Sequence, residues 1–179
     1  YLRKKIVEIG AVRKAEDAFY DAFGNLVWWV EDPNDGIPAA QKKVIYIDGH
    51  TDTVKALRGQ WREKVGGVDC YDGLVDAANI NKDFLRTQLG YLPPENEWDQ
   101  LIFGRGSADQ LGGVVSAAIA TKILIELTDL GALKGCIVRS YGTACEEDND
   151  GAGPMYLQRE VFPTAGAELI PDVVILTDG

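Results

Sequence analysis

One histidine and several acidic residues stand directly after apolar stretches of the chain, and one more aspartate stands just before a predicted long helix. They are His50 and Asp52, Asp109, Glu146 and Glu147, and Asp178. In an α/β sheet, ligands bind beyond the carboxyl ends of the strands, so four separate segments are placed to deliver imidazole and carboxylate groups to one edge. Carboxylates gathered at one place stay ionised together when a divalent cation is bound among them. Imidazole with carboxylate ligands suits zinc, with manganese and cobalt as alternatives.

His50 is the only histidine in the chain. A lone histidine is more often a hydrogen-bonded surface or core residue than a metal ligand. Asp52 changes this interpretation, because side chains at positions i and i+2 of an extended segment point the same way. We therefore expect Asp52 to accept a hydrogen bond from one imidazole nitrogen while the other nitrogen faces a metal.

The run Glu146-Glu147-Asp148 is typical of a solvated loop when considered alone. The glycine-rich stretch 104–114 could be taken for a phosphate-binding loop, because it precedes a predicted helix. No Lys-Ser/Thr pair follows its glycines, and Asp109 would place a negative charge where the phosphate should bind. A carboxylate at a helix N-terminus can instead be a metal ligand.

Strands and helices alternate around these residues. The pattern predicts a helix over 2–9, a hairpin with its turn at 21–25, and a surface loop over 32–38. Strands are predicted at 43–48 and 136–141, a short helix at 153–159 and a final buried strand at 173–176. A long helix with a one-sided apolar stripe is predicted over 110–130. This order favours an α/β sandwich around a mostly parallel sheet.

Residues 54–101 show weak periodicity and many glycines and prolines, which predicts a long loop with one short helix near 81–89. Its aromatic residues either line a substrate pocket or anchor the loop. They are Trp61, Tyr71, Tyr91 and Trp98.

Three motifs in this order resemble the M20 family of zinc metallopeptidases. They are Gly-His-Thr-Asp-Thr-Val at 49–54, Gly-Arg-Gly-Ser-Ala-Asp at 104–109 with Gly-Gly at 112–113, and Glu-Glu at 146–147. Residues 21–27 also resemble the hairpin turn that precedes the first metal segment of that family. The family includes aminoacylases, carboxypeptidases, dipeptidases and acetylornithine deacetylases. The resemblance implies an incomplete, zinc-exopeptidase-like three-layer sandwich and hydrolysis of an amide bond in a small peptide or an N-acyl amino acid.

The resemblance also implies a role for each residue of a site with two zinc ions. His50 and Asp178 would bind the first zinc, Asp109 would bridge both, and Glu147 would bind the second. Glu146 would be the general base, and Asp52 would orient His50. A metal-bridging water activated by Glu146 would attack the scissile carbonyl.

The sequence departs from the family in three respects. No further histidine is present to complete the second zinc, and residues 55–100 are expected to form a long insertion. The smaller lid domain, through which members form homodimers, and the C-terminal catalytic portion are absent. The resemblance therefore makes residues 1–179 the N-terminal portion of a discontinuous catalytic domain, inactive by itself.

The composition narrows the choice of partners. The 18 Lys and Arg residues against 28 Asp and Glu residues give a formal charge of −10, and no basic cluster offsets it. Nucleic acid and membrane surfaces are therefore not expected partners. No apolar stretch is long enough to span a bilayer. The three cysteines form a poor disulfide framework, which favours a cytoplasmic location.

Two other hypotheses compete with a zinc amidohydrolase. The first is a non-catalytic metal-binding or assembly module that keeps the hydrolase fold, as the single histidine would suggest. The retention of both Asp52 and Glu146 argues against it. The second is an α/β domain whose acidic loops are merely solvated, which must treat three correctly ordered motifs as chance.

Overall fold

The chain divides into two units in the computed structural model, which describes residues 1–66, 69–71, 78–148, 151–166 and 169–178. The first unit joins Tyr1–Asp52 to Gln110–Gly179, and the second is Thr53–Asp109. The main elements, in chain order, are α1 (Leu2–Glu8), β1 (Ala18–Tyr20), β2 (Leu26–Glu31), β3 (Lys43–His50), α2 (Arg58–Gln60), α3 (Lys82–Leu89), α4 (Leu111–Glu126), β4 (Cys136–Thr143), α5 (Ala152–Tyr156) and β5 (Val173–Leu176). π-Helical turns continue α2 through Trp61–Val65 and α5 through Leu157–Val161.

The five strands form one sheet in the order β1-β2-β4-β3-β5. The pairs β1–β2 and β2–β4 are antiparallel, whereas β3 pairs in parallel with both β4 and β5. The predicted α/β class is confirmed, but the sheet is evenly mixed rather than mostly parallel. The hairpin, which has no crossover helix, places β2 antiparallel to β4 and β1 antiparallel to β2.

Helices pack against both faces of this sheet. On one face, strand residues contact α1 and α4, and the cluster includes Trp28, Val30, Ile47, Val114 and Ala118. On the other face, strand residues contact the π-helical turn after α5, and the cluster includes Val27, Tyr46, Tyr141 and Leu157. Alternate residues of β2 belong to opposite clusters, as the two-residue period of a strand requires.

Trp28 is the largest fully buried side chain in the first cluster, and its indole nitrogen needs a hydrogen-bond acceptor. Its Nε1 donates a hydrogen bond to Oγ1 of Thr121, at 3.1 Å, and both residues are fully buried. This contact fixes α4 against the middle of β2. A buried donor of this kind is costly to leave without an acceptor.

The predicted surface loop over 32–38 is confirmed and is held by a buried lysine. The ammonium group of Lys42 lies 2.8 Å from Glu31 and 3.3 Å from Asp35. The carboxylate of Asp35 also accepts the backbone amides of Gly135 and Ile37, both at 2.9 Å. These amides, together with Lys42, hold the pKa of Asp35 below its ordinary value.

The long helix α4 is confirmed, but the prediction of a one-sided apolar stripe is wrong. Val114, Ala117 and Ala118 are buried, whereas Val115 and Ile119 are exposed by about half of their surface. The predicted stripe combined positions 114 and 118 with 115 and 119, which point in directions about 100° apart on a helix. The helix is apolar on nearly every side, so its composition did not reveal which side faces the sheet.

The final strand β5 is confirmed, but the prediction that it is buried is wrong. All four of its residues are between 48% and 67% exposed. It pairs only with β3 among the described strands and occupies the edge of the sheet. An uninterrupted apolar run is typical of a central strand, and this one lies instead at an edge.

The second unit contains more regular structure than the predicted loop. The predicted short helix is confirmed as α3, whose first turn is capped by the side chain of Asn81. A further 3₁₀ segment, Glu95–Gln100, brings Trp98 into a small core with Ile80 and Leu85. Of the two roles considered for the loop aromatics, Trp98 anchors the loop. Its side chain is 2% exposed, and its indole nitrogen donates to the carbonyl of Pro93.

Two observations bear on cellular context. Among the described residues, no helix is both long enough and apolar enough to cross a bilayer. Cys70, Cys136 and Cys145 are all unpaired thiols.

Candidate metal centre

The site of the first unit lies where the parallel strands β3 and β4 end side by side. His50, the last residue of β3, is in register with Thr143, the last residue of β4. The amide of Thr51 donates to the carbonyl of Thr143 at 2.7 Å, so the pairing extends one residue beyond the strand. The chain that follows each strand therefore emerges at the same edge of the sheet, as the sequence predicts.

Asp52 connects these two emerging segments. Its carboxylate accepts the backbone amides of Glu146 and Glu147, each at 3.1 Å. The acidic turn, defined here as residues 144–148, includes Cys145, whose φ of 57° lies in the left-handed region. Such a backbone is uncommon for a residue with a side chain, so the bonds from Asp52 help to hold it.

The orientation of His50 differs in one respect from the prediction. Its Nδ1 lies 2.9 Å from the backbone carbonyl oxygen of Asp52, whereas the nearest carboxylate oxygen of Asp52 is 3.7 Å away. Asp52 thus orients the imidazole through its main chain, because its carboxylate is engaged by the acidic turn. A carbonyl can only accept, so Nδ1 carries the proton, and in the neutral ring Nε2 is the nitrogen with the lone pair.

The Nε2 atom of His50 faces carboxylates from two other segments. It lies 3.8 Å from Oε2 of Glu146 and 3.8 Å from Oδ2 of Asp178. The imidazole is 2% exposed, whereas both carboxylates are nearly half exposed. Ligand atoms around a tetrahedral zinc ion are about 3.3 Å apart for bonds of about 2.0–2.1 Å, so this spacing is close to that of a metal site.

A cavity of about 260 Å³ adjoins these groups, and the described residues that line it belong to the first unit. His50, Glu146 and Asp178 lie on its wall, together with Gln110 and Asp48. Oδ1 of Asp48 is buried and has no hydrogen-bond partner among the described residues. Burial raises the pKa of the Asp48 carboxyl above its ordinary value.

Asp48 and Gln110 are the wall residues that sequence reasoning missed. Asp48 resembled the polar residue that commonly ends an apolar strand. Its position two residues before His50 nevertheless places both side chains on the same side of β3. Gln110 is buried at the start of α4, and its Oε1 lies 3.3 Å from the hydroxyl of Thr177. A side chain at Gly113 would collide with both of these groups, so the start of α4 can lie this close to them only because glycine stands here.

Asn25, in the hairpin turn, supports the acidic turn from its other side. Its Oδ1 accepts the amide of Ala144 at 3.0 Å, and its Nδ2 donates to the carbonyl of Gly153 at 3.3 Å and to Asp21 at 2.9 Å. A Cβ at Gly153 would overlap the carbonyl oxygen of Ala144. The position of Asn25 in the turn suggests that its side chain forms hydrogen bonds, but the sequence does not indicate with which residues.

Within the first unit, the structure brings together His50, Asp52, Glu146 and Asp178, and it fixes the backbone of Glu147 beside them. Asp109 is the last residue of the second unit and is bonded to Gln110, a wall residue of the cavity. Its bridging role remains a prediction. No family model and no curated protein gives a significant match to the chain.

Proposed function

We propose that this chain carries the metal centre of a two-zinc amidohydrolase that cleaves an amide bond of a small peptide or an N-acyl amino acid. The observation that carries the proposal is the buried imidazole of His50. Its Nδ1 is committed to a backbone carbonyl, and its Nε2 faces two carboxylates at 3.8 Å. A histidine arranged in this way is typical of a metal ligand with its outer hydrogen bond in place.

The donor set fits the proposed metal. One imidazole nitrogen with carboxylate oxygens suits zinc, with cobalt and manganese as alternatives. His50 and Asp178 would hold the first ion, and Asp109 and Glu147 would extend the site to a second, as the family resemblance implies. Bound zinc supplies a Lewis acid that lowers the pKa of water and polarises a carbonyl.

The chain's own residues would do the rest of the chemistry. Glu146 is the proposed general base, and its half-exposed carboxylate on the cavity wall can accept a proton from water and return it to the leaving nitrogen. Asp52 keeps Glu146 in place by accepting its backbone amide. His50 is held in its orientation because Nδ1 donates to the carbonyl of Asp52.

The proposal extends to the fold. We infer a zinc-exopeptidase-like three-layer sandwich, and helix packing on both faces of the sheet supports it. The parallel strands β4, β3 and β5 supply the edge at which the site residues meet.

The experiment replaces Glu146 by glutamine in the complete protein and compares zinc content and turnover on dipeptides and N-acyl amino acids. Glu146→Gln should keep its zinc and lose turnover by about 10²-fold or more, because a general base contributes that much. Glu160→Gln, an exposed glutamate on the turn after α5, is the control and should change neither quantity. An active metal-free protein, or a Glu146→Gln variant with unchanged kcat, would refute the proposal.

Zinc binding without turnover on the whole panel would favour the non-catalytic metal-binding or assembly module. The single histidine of the chain is the observation that keeps this alternative open.

A further inference from the structure

The second unit contains a cavity of its own, with a volume of about 460 Å³. The described residues that line it all belong to this unit, and they include Lys55, Leu57, Trp61, Lys64, Phe84 and Arg105. The volume is within the range of small-molecule sites in proteins. Nothing in the proposed hydrolase chemistry uses it.

The lining of this cavity is unusual in its charge. Among the described residues, it includes three cations, Lys55, Lys64 and Arg105, and no acidic residue. None of the three forms an ion pair with another described residue. Other cations of this unit do form ion pairs: Arg58 with Asp69, Lys82 with Glu95 and Arg86 with Asp83. In a chain with a formal charge of −10, three neighbouring cations without an ion pair among the described residues favour the binding of an anion.

Arg105 supplies the most specific feature. Its backbone amide donates to the carbonyl of Cys70 at 2.6 Å, which fixes the main chain at this position. Its side-chain Nε is buried and has no acceptor among the described residues. A buried, charged donor is expensive to leave unsatisfied, and the guanidinium fork matches the oxygens of a carboxylate or a phosphate.

Apart from Gln60, the remaining described wall is apolar and partly aromatic. Leu57 immediately precedes α2, and Trp61 and Val65 follow it at four-residue spacing in the π-helical continuation, so the three share a face. Phe84 of α3 also lines the cavity. A ligand that fills this space would carry an apolar group beside its anionic group.

We propose that this cavity binds a small organic oxyanion, in which a carboxylate or a phosphate is joined to an aromatic or aliphatic body. Arg105 contacts the oxyanion, Lys55 and Lys64 add positive charge, and the ring of Trp61 packs against the apolar body. The glycine-rich segment 104–109 thus contributes to anion binding through a side chain rather than through the amides of a phosphate-binding loop.

Isothermal titration calorimetry with benzoate, phenyl phosphate and benzamide tests this proposal on the whole chain. Both anions should bind with millimolar or tighter affinity, and neutral benzamide should bind about tenfold more weakly or not at all. The tighter of the two anions identifies the oxyanion as a carboxylate or as a phosphate ester. Binding of the anion should weaken as sodium chloride is raised.

Variants assign the binding to this cavity. Arg105→Gln should weaken anion binding about tenfold, and Lys64→Gln, at an exposed position, about threefold. Arg86→Gln removes an exposed arginine that is paired with Asp83, and should leave binding unchanged. Lys64→Gln keeps the test decisive if Arg105→Gln fails to fold. Equal binding of benzamide, no binding of either anion, or unchanged affinity in the folded variants would overturn the proposal, whatever the outcome for the zinc site.

Discussion

Replacing Asp52 by asparagine removes the charge that joins the end of β3 to the acidic turn. The carboxylate accepts two backbone amides, from Glu146 and Glu147, at 3.1 Å each. Asparagine keeps one acceptor oxygen and presents an NH₂ group to the second amide. The substitution therefore weakens one of these two hydrogen bonds and leaves the other backbone amide without an acceptor.

The expected magnitude follows from these two bonds. A hydrogen bond to a charged group contributes about 1.5 kcal/mol or more, and a neutral replacement contributes about 1 kcal/mol. Loss of one bond and weakening of the other should therefore lower the free energy of unfolding of the metal-free protein by about 2 kcal/mol. The affinity for zinc should fall by about 10- to 100-fold, because Asp52 positions the segment that carries Glu146 and Glu147.

Urea unfolding followed by circular dichroism measures the first effect, and competition with a chromophoric chelator measures the second. Asp32→Asn is the control, because the carboxylate of Asp32 accepts the local amide of Asn34 at an exposed turn and asparagine can do the same. The control should change the stability by less than about 0.5 kcal/mol. If Asp52→Asn were equally mild and left zinc affinity unchanged, the assigned role of Asp52 would be wrong.

Three further outcomes are expected. Thr121→Val should lower the free energy of unfolding by about 1–3 kcal/mol, because the buried indole N–H of Trp28 loses its acceptor; an unchanged urea midpoint would contradict this. Gly153→Ala should destabilise by about 1–3 kcal/mol through overlap with a backbone carbonyl, whereas Gly59→Ala, which has open space, should not; equal melting temperatures for the two variants would count against the packing described. The pKa of Asp35 is lowered in the folded state, so its stabilisation is fully present above its ordinary value of 3.8 and is lost as the pH falls through the folded value. The free energy of unfolding should therefore fall less steeply with decreasing pH in Asp35→Asn than in the native protein. Equal slopes for the two proteins would refute the assignment.

The sequence was most informative where a local pattern had only one physical solution. The β-branched run before His50 and the turn-forming residues 21–25 each specify their structure through neighbours in the chain. The same holds for the convergence of His50, Asp52, Glu146 and Asp178, because parallel strands bring their carboxyl ends to one edge.

The sequence was least informative where the outcome depends on distant parts of the chain. An apolar helix such as α4 does not reveal which side will face the sheet, and an apolar strand such as β5 does not reveal that it will lie at an edge. The hydrogen bonds of Asp52 are a further example. Its carboxylate could have joined His50, and only the tertiary structure gives it two backbone amides instead.

The central claim is that Nε2 of His50 binds a divalent cation. Since the chain has a single histidine, a long-range ¹H–¹⁵N spectrum of the imidazole contains one ring and can be followed without ambiguity as zinc is added. The claim predicts that, at stoichiometric zinc, the chemical shift of Nε2 becomes that of a metal-bound nitrogen. Nδ1 should stay protonated and keep its hydrogen bond to the carbonyl of Asp52. An imidazole spectrum that is unchanged in excess zinc, or one in which Nδ1 is the nitrogen that binds, would contradict it.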